Sequence, residues 1–150
     1  MKTRLFFALI CLPMLLNAQT SGDWITVTSP KSSKETVEML QKAIQGKGLK
    51  VFNTIDHAAG AESVGMTLRP TTVIIFGNPK GGTPLMNCDQ RMGILLPLKI
   101  LVWEDESKLV KAGFINPEKY SNEYDLEKCK EVVAKIKAML TGLIAMTEKK

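Results

Sequence analysis

Groups that usually carry enzyme and metal chemistry are scarce in this 150-residue chain, which has one His, three Cys, two Trp and two Tyr. A single imidazole cannot supply the two-histidine helix of the usual zinc site. Glu62, five positions after His57, falls on a different helical face and does not repair that deficit. Aromatic residues make up only 6% of the chain and the 20 basic residues are interspersed with 15 acidic ones. No basic block results, and the sequence argues against a nucleic-acid partner. No apolar run reaches the roughly 20 residues that span a bilayer. Internal repeats and low-complexity tracts are absent as well, so the reading is of one domain.

What is present begins with a targeting layout. Lys2 and Arg4 precede a run of about 12 mostly apolar residues from Leu5 to Leu16, and Ala18 offers a small residue for cleavage. This predicts a secretory signal peptide over 1–18 and export to the periplasm or the medium. Ile10, not a small residue, stands before Cys11, which argues against lipidation. Cleavage after Ala18 leaves a single domain over 19–150, large enough to form a core without staples. Without Lys2 and Arg4, 18 basic residues face 15 acidic ones. Cys88 and Cys129 then remain, enough for one disulfide in an oxidising compartment. Cys129 lies on an apolar helical stripe and reads as core packing, and Cys88 sits in a less regular, more accessible stretch. The expectation is two unbonded thiols, with pairing as the alternative.

The order of elements follows from hydrophobic period and punctuation. Residues 24–28 are β-branched or aromatic and predict a strand. Ser32 and Glu35 have capping-box spacing, and Val37, Leu40, Ala43 and Ile44 recur at helical intervals until Gly46 and Gly48. Strands are predicted at 49–55, 71–76, 98–103 and 109–115, the last two joined as a hairpin by the charged turn 104–108. Residues 58–65 suit a short helix or turn. The 77–84 stretch, rich in Gly and Pro, reads as a loop, and 85–92 as a short helix that packs Leu85 and Met92 inward. Leu126, Cys129, Val133, Ile136, Leu140 and Leu143 form the stripe of a long amphipathic helix. The predicted class is α+β, an antiparallel sheet of four to five strands with two main helices on one face.

The densest concentration of unusual residues runs from Ile55 to Asp105. A Gly/Pro/Asn loop on a rigid scaffold is a favoured place for binding chemistry. The expected site is a polar pocket formed by the 55–60 and 77–86 segments, with Asp56, His57, Arg69, Asn78, Lys80 and Thr83 as ligand contacts. Asp56 is assigned to hold the imidazole tautomer, and Arg69 to supply charge. A phosphate loop is excluded, because Gly82 is followed by Thr83-Pro84 and not by Lys-Ser/Thr, and two prolines remove amide donors. Two alternatives share these residues. One is an uncharacterised enzyme using His57, with Ser63, Thr83 or Cys88 as nucleophile by type alone. The other is a copper protein drawing on the soft donors His57, Met86, Cys88 and Met92. The site as read contains no assigned metal and no named cofactor. A homodimer is the expected way to cover the free face and edges of an open sheet.

Five words in the middle of the chain are distinctive: Ile55-Asp56-His57, Leu68-Arg69-Pro70-Thr71, Phe76-Gly77-Asn78-Pro79, Gly82-Thr83-Pro84-Leu85-Met86 and Leu96-Pro97-Leu98-Lys99, the last shortly before Leu101-Val102-Trp103. In these the chain resembles domain-of-unknown-function family 302, over roughly Trp24 to Leu143. The resemblance implies a fold like one half of the TATA-box-binding protein, β-α-β4-α, and no transferable activity. That fold relation carries no implication for DNA. One branch of the family has a cysteine before the Asn-Pro pair and another after the Leu-Pro pair. This chain has Gly77 and Leu98 there, and Cys88 is not an equivalent, so thiol or metal chemistry of that pair does not carry over.

Overall fold

The computed structural model describes residues 19–21 and 23–149; the expected signal peptide lies outside them. Six strands form one antiparallel sheet: β1 (Gln19–Ser21), β2 (Trp24–Ser29), β3 (Lys50–Asp56), β4 (Thr71–Gly77), β5 (Leu98–Glu104) and β6 (Val110–Ile115), in the spatial order β1-β2-β6-β5-β4-β3. Five of these are the strands expected from sequence, and the three-residue β1 extends one edge. Alternation along β2, β4, β5 and β6 turns Ile25, Val27, Ile74, Phe76, Ile100, Val102, Ala112 and Phe114 to one buried face.

Two long helices cover that face. In α1 (Ser33–Gly46) the capping box forms as the spacing requires: Ser32 accepts from the Glu35 amide, and Glu35 accepts from the Ser32 amide at 3.0 Å. Gly48 then leaves the helix at φ +72, a conformation glycine adopts without strain. The second cover is α4 (Lys130–Ala145); the stripe from Leu126 to Leu143 is buried throughout, with its first two members, Leu126 and Cys129, at the N-cap and the end of the 3-10 turn that precedes the helix. α1 packs on β3, β4 and β5, and α4 on β2 and β6, and the two helices touch each other. The hairpin between β5 and β6 pairs Glu104 with Val110, and Asp105 accepts from the Ser107 and Leu109 amides.

Two further helices complete the chain: α2 (His57–Glu62) and α3 (Pro79–Cys88). The second corrects the expectation of a loop over 77–84. Asn78 caps it by accepting from the Gly81 amide at 2.9 Å, and Pro79 stands at the first turn, where no amide bond is lost. A 3-10 turn follows over Gln90–Ile94. Leu85 and Met92 are both buried, as the sequence predicts.

Candidate functional site

Antiparallel pairing of β3 and β4 decides how the expected site residues are distributed. Asp56 pairs with Thr72 and Lys50 with Gly77, so the 55–60 segment and the 77–86 segment leave opposite ends of the same ladder. Six residues of strand separate those ends by about 20 Å. Asp56, His57 and Arg69 therefore stand together at one end, and Asn78, Lys80 and Thr83 at the other. The shared pocket expected from sequence is not formed.

The first group serves local structure. Asp56 accepts from the amides of Ala58 and Ala59, both at 3.0 Å, and so caps α2 instead of holding an imidazole. Arg69 donates from Nε to the Glu104 carbonyl at 3.1 Å, tying the entry of β4 to the end of β5. His57 is exposed. Ser63 Oγ donates to the Gly60 carbonyl at 2.7 Å. Thr83 and Cys88, the other nucleophiles considered, lie on α3 at the far end of the ladder.

The second group borders a cavity of about 400 Å³ between α3, the 93–98 segment and α4. Glycine hollows it: Gly77, Gly81, Gly82 and Gly93 all line it. A Cβ on Gly82 would stand 3.3 Å from Leu96 Cδ1, and one on Gly77 would stand 3.7 Å from Phe52 Cε2. Phe52 reaches this wall because the β3–β4 register shifts between Val51 and Asn53, a bulge that re-aims the side chain. Met86, Leu96 and Met139 supply much of the remaining surface. Asn78 and Thr83 are its polar members, and Lys80 is exposed on the same first turn of α3. The cavity is thus apolar with a small polar rim, not the polar pocket expected.

α3 is fastened at its other end. Cys88 and Cys129 are joined by a disulfide, Cα atoms 6.4 Å apart, which corrects the expectation of two unbonded thiols. Cys129 is buried on its stripe as expected, but there it also meets Cys88. Beside the bridge, Asp89 accepts from Arg91 Nε and Nη2 at 3.0 and 2.7 Å and from the Asp125 amide at 3.1 Å. Hydrogen bonding from the Arg91 guanidinium holds the Asp89 carboxyl well below the usual carboxylate range. Arg91 also donates to the Glu123 carbonyl and lies over the Tyr124 ring at 5.4 Å. The C-terminal end of α3 is therefore pinned to the segment that leads into α4.

The bridge removes the Cys88 thiolate from any nucleophilic or copper role in this oxidised state. The remaining soft donors are dispersed: His57 at the far end of the ladder, Met86 in the cavity wall, and Met92 in the core. Among the described residues no three His, Cys, Asp or Glu side chains are grouped to hold a metal.

Comparison with known proteins agrees with this architecture. A crystal structure of an uncharacterized conserved DUF302 protein from Bacillus stearothermophilus superposes with a TM-score of 0.77 at 20% identity, covering 85% of this chain and 99% of that one. At that identity the likeness is one of fold. Proteins called fluoride-specific ion channel FluC 1, from Brucella suis and Brucella abortus, are 39% identical over 124 residues, or 83% of this chain. The chain spans about half the length of these curated relatives, 48% and 45% respectively. The model of the family described as "Domain of unknown function DUF302" matches residues 25–143, and the chain belongs to that family.

Proposed function

We propose that this protein is an exported binding module whose ligand is a small apolar molecule held in the cavity under α3. The observation that carries this reading is the glycine-hollowed space of about 400 Å³, within the range of small-molecule sites. Its walls are apolar, and Asn78 and Thr83 offer the few polar groups that orient a ligand. Export rests on the layout of residues 1–18. The disulfide supports it, because such bonds persist in oxidising compartments.

Gly82→Leu tests the ligand reading. Leu is a far better helix former than Gly, and its side chain would project toward Leu96 and fill the cavity. Native mass spectrometry of the wild-type protein should detect a co-purifying or added apolar ligand that the variant does not retain. The variant should melt no lower than the wild type. Equal retention by both proteins would sink the reading.

The named relatives favour a second reading, an accessory role beside a membrane channel. No described helix of this chain is long and apolar enough to cross a membrane. The matched segment covers less than half of each of these Brucella proteins. We infer that channel activity there belongs to the unmatched part, and that this domain acts on or next to such a part. Co-purification of the tagged protein with a fluoride channel from its own host membranes would support this. Loss of the domain without any change in fluoride tolerance would count against it.

Self-association is the third part of the proposal. The sheet face away from α1 and α4 carries Trp24, Val73, Leu101 and Trp103, with the two indoles in edge contact at 6.0 Å. Lys111 on that face donates to Thr28 Oγ1 at 2.7 Å, and Lys99 to the Leu95 and Pro97 carbonyls. Lys111 also lies 3.7 Å from Asp105, whose carboxylate offsets its charge, and the apolar residues of this face are what a second copy packed face to face would cover.

A further inference from the structure

The geometry points to a linear chain as the ligand of the α3 cavity, with its far end running into a second cavity that opens through a split in the sheet. This inference rests on the ligand reading above and narrows it to a molecular shape. Its starting point is the pairing of β5 with β6, which runs from Glu104↔Val110 to Leu101↔Gly113 and stops there. Both strands continue. β5 extends to Leu98, still paired with Phe76 of β4, and β6 extends to Ile115, still paired with Trp24 of β2. Each strand follows its other neighbour, so the sheet divides between them.

The division holds a second cavity of about 260 Å³. Leu95, Leu101, Ile115 and Tyr120 are among its walls, and it reaches Val133 and Leu140 of α4. Leu96, Leu98 and Ile136 belong to the walls of both cavities. The two spaces therefore adjoin, one under α3 and the other in the split sheet, separated by three apolar side chains. Lys99 also borders the second space, but its ammonium donates to the Leu95 and Pro97 carbonyls, each at 3.0 Å. The side chains common to both spaces are wholly apolar.

A compact ring system fits one of these spaces or the other. A flexible alkyl chain, one methylene wide, can occupy both by displacing the Leu96 side chain. Each methylene that leaves water for such a lining adds to affinity, about fourfold per group. Shape thus selects single-chain amphiphiles, with the polar head left at the rim by Asn78 and Thr83.

The experiment measures binding of a series of saturated alkyl carboxylates of about 8 to 16 carbons, each below its micelle concentration, together with the compact probe anilinonaphthalene sulfonate. Affinity should rise roughly fifteenfold for every two carbons and level off only in the longer members. Leu95 lines only the split-sheet cavity. Leu95→Trp should therefore weaken the longest chains at least tenfold and leave the shortest, and the compact probe, unchanged. Leu101→Trp, approached from the outer face, should do the same and guards against misfolding of the first variant. An affinity that levels off at the shortest chains, or that both variants lower equally for every probe, would overturn the linear-chain inference. The α3-cavity reading would survive that result if the compact probe still bound and Gly82→Leu abolished its binding. Absence of binding by every probe would overturn both.

Discussion

Breaking the Cys88–Cys129 bridge should destabilise the domain without unfolding it at room temperature. The bridge closes a stretch of 41 residues that contains the 3-10 turn after α3, both β5 and β6, and the approach to α4. Constraining a loop of that length in the unfolded chain corresponds to about 4 kcal/mol in the chain-entropy account. For roughly 130 folded residues the unfolding entropy translates this into a fall in melting temperature of about 15 °C. Cys88→Ala/Cys129→Ala is the cleaner perturbation, because reduction with alkylation adds bulk beside the buried Cys129. Differential scanning calorimetry of the double variant and the oxidised wild type gives the difference directly, once mass spectrometry has confirmed the bridge in the latter. A change below about 3 °C would refute the argument, since it would mean the unfolded chain gains almost no freedom when the bridge is lost. Two free thiols in protein recovered from an oxidising compartment would refute it at an earlier step.

Other perturbations test other parts of the structure. Gly113→Ala places a Cβ 2.7 Å from Thr26 Cγ2 and 2.9 Å from the Ile25 carbonyl oxygen. β2 would have to move, and chemical denaturation should show a loss of about 1–3 kcal/mol; an unchanged midpoint would mean the strands are not packed this closely. His57→Ala, at an exposed position far from the cavity, should alter stability by less than about 0.5 kcal/mol and leave ligand retention intact. Loss of retention in that variant would move the site to the other end of the β3–β4 ladder. On the acid side, Asp89, Glu35 and Glu118 are all harder to protonate when folded, through hydrogen bonds from Arg91, Ser32 and Lys137 respectively. Their contribution is complete above the ordinary values of 3.8 to 4.5 and is lost as pH falls below them. Asp89→Asn should flatten the part of this acid limb that lies lowest in pH. Sedimentation at high micromolar concentration should give a dimer, and Leu101→Glu, which buries an unpaired charge in the proposed interface, should give monomer.

Much of the architecture is legible from local rules. The α1 cap needs only Ser32 and Glu35 at the right spacing, and the α4 stripe needs only a period near 3.6, so neither depends on the rest of the molecule. The hairpin at Asp105 is equally local. α3 is harder to read because its composition argues against it: Gly81, Gly82 and Pro84 are poor helix residues, and the helix forms through the Asn78 cap, Pro79 and the bridge at Cys88. The bridge itself depends on a distance that no spacing rule supplies. Two of the six expected ligand residues, Asn78 and Thr83, line the cavity. His57 and Asp56 do not, because being near a loop in sequence says nothing about which end of an antiparallel ladder a turn occupies. The splitting of β5 from β6 leaves no mark in the pattern of side chains, since both strands alternate normally through it.

Under the ligand reading, the cavity is local instability retained for binding. Each glycine inside a helix is less favourable than alanine by about 1 kcal/mol, and α3 carries two in succession. Pro84 removes a further amide from the same short helix. A leucine at position 82 would relieve part of this and fill the space against Leu96, leaving an ordinary packed core. Instead Gly81 and Gly82, which weaken α3, are residues whose missing side chains open the cavity, and the bridge and the Asp89–Arg91 pair fasten the helix at its opposite end. Natural sequences tend to break local rules where function requires it. Here Gly81 and Gly82 place the break in the wall of an apolar space, and the fastening beyond it lets that wall remain thin without detaching the helix.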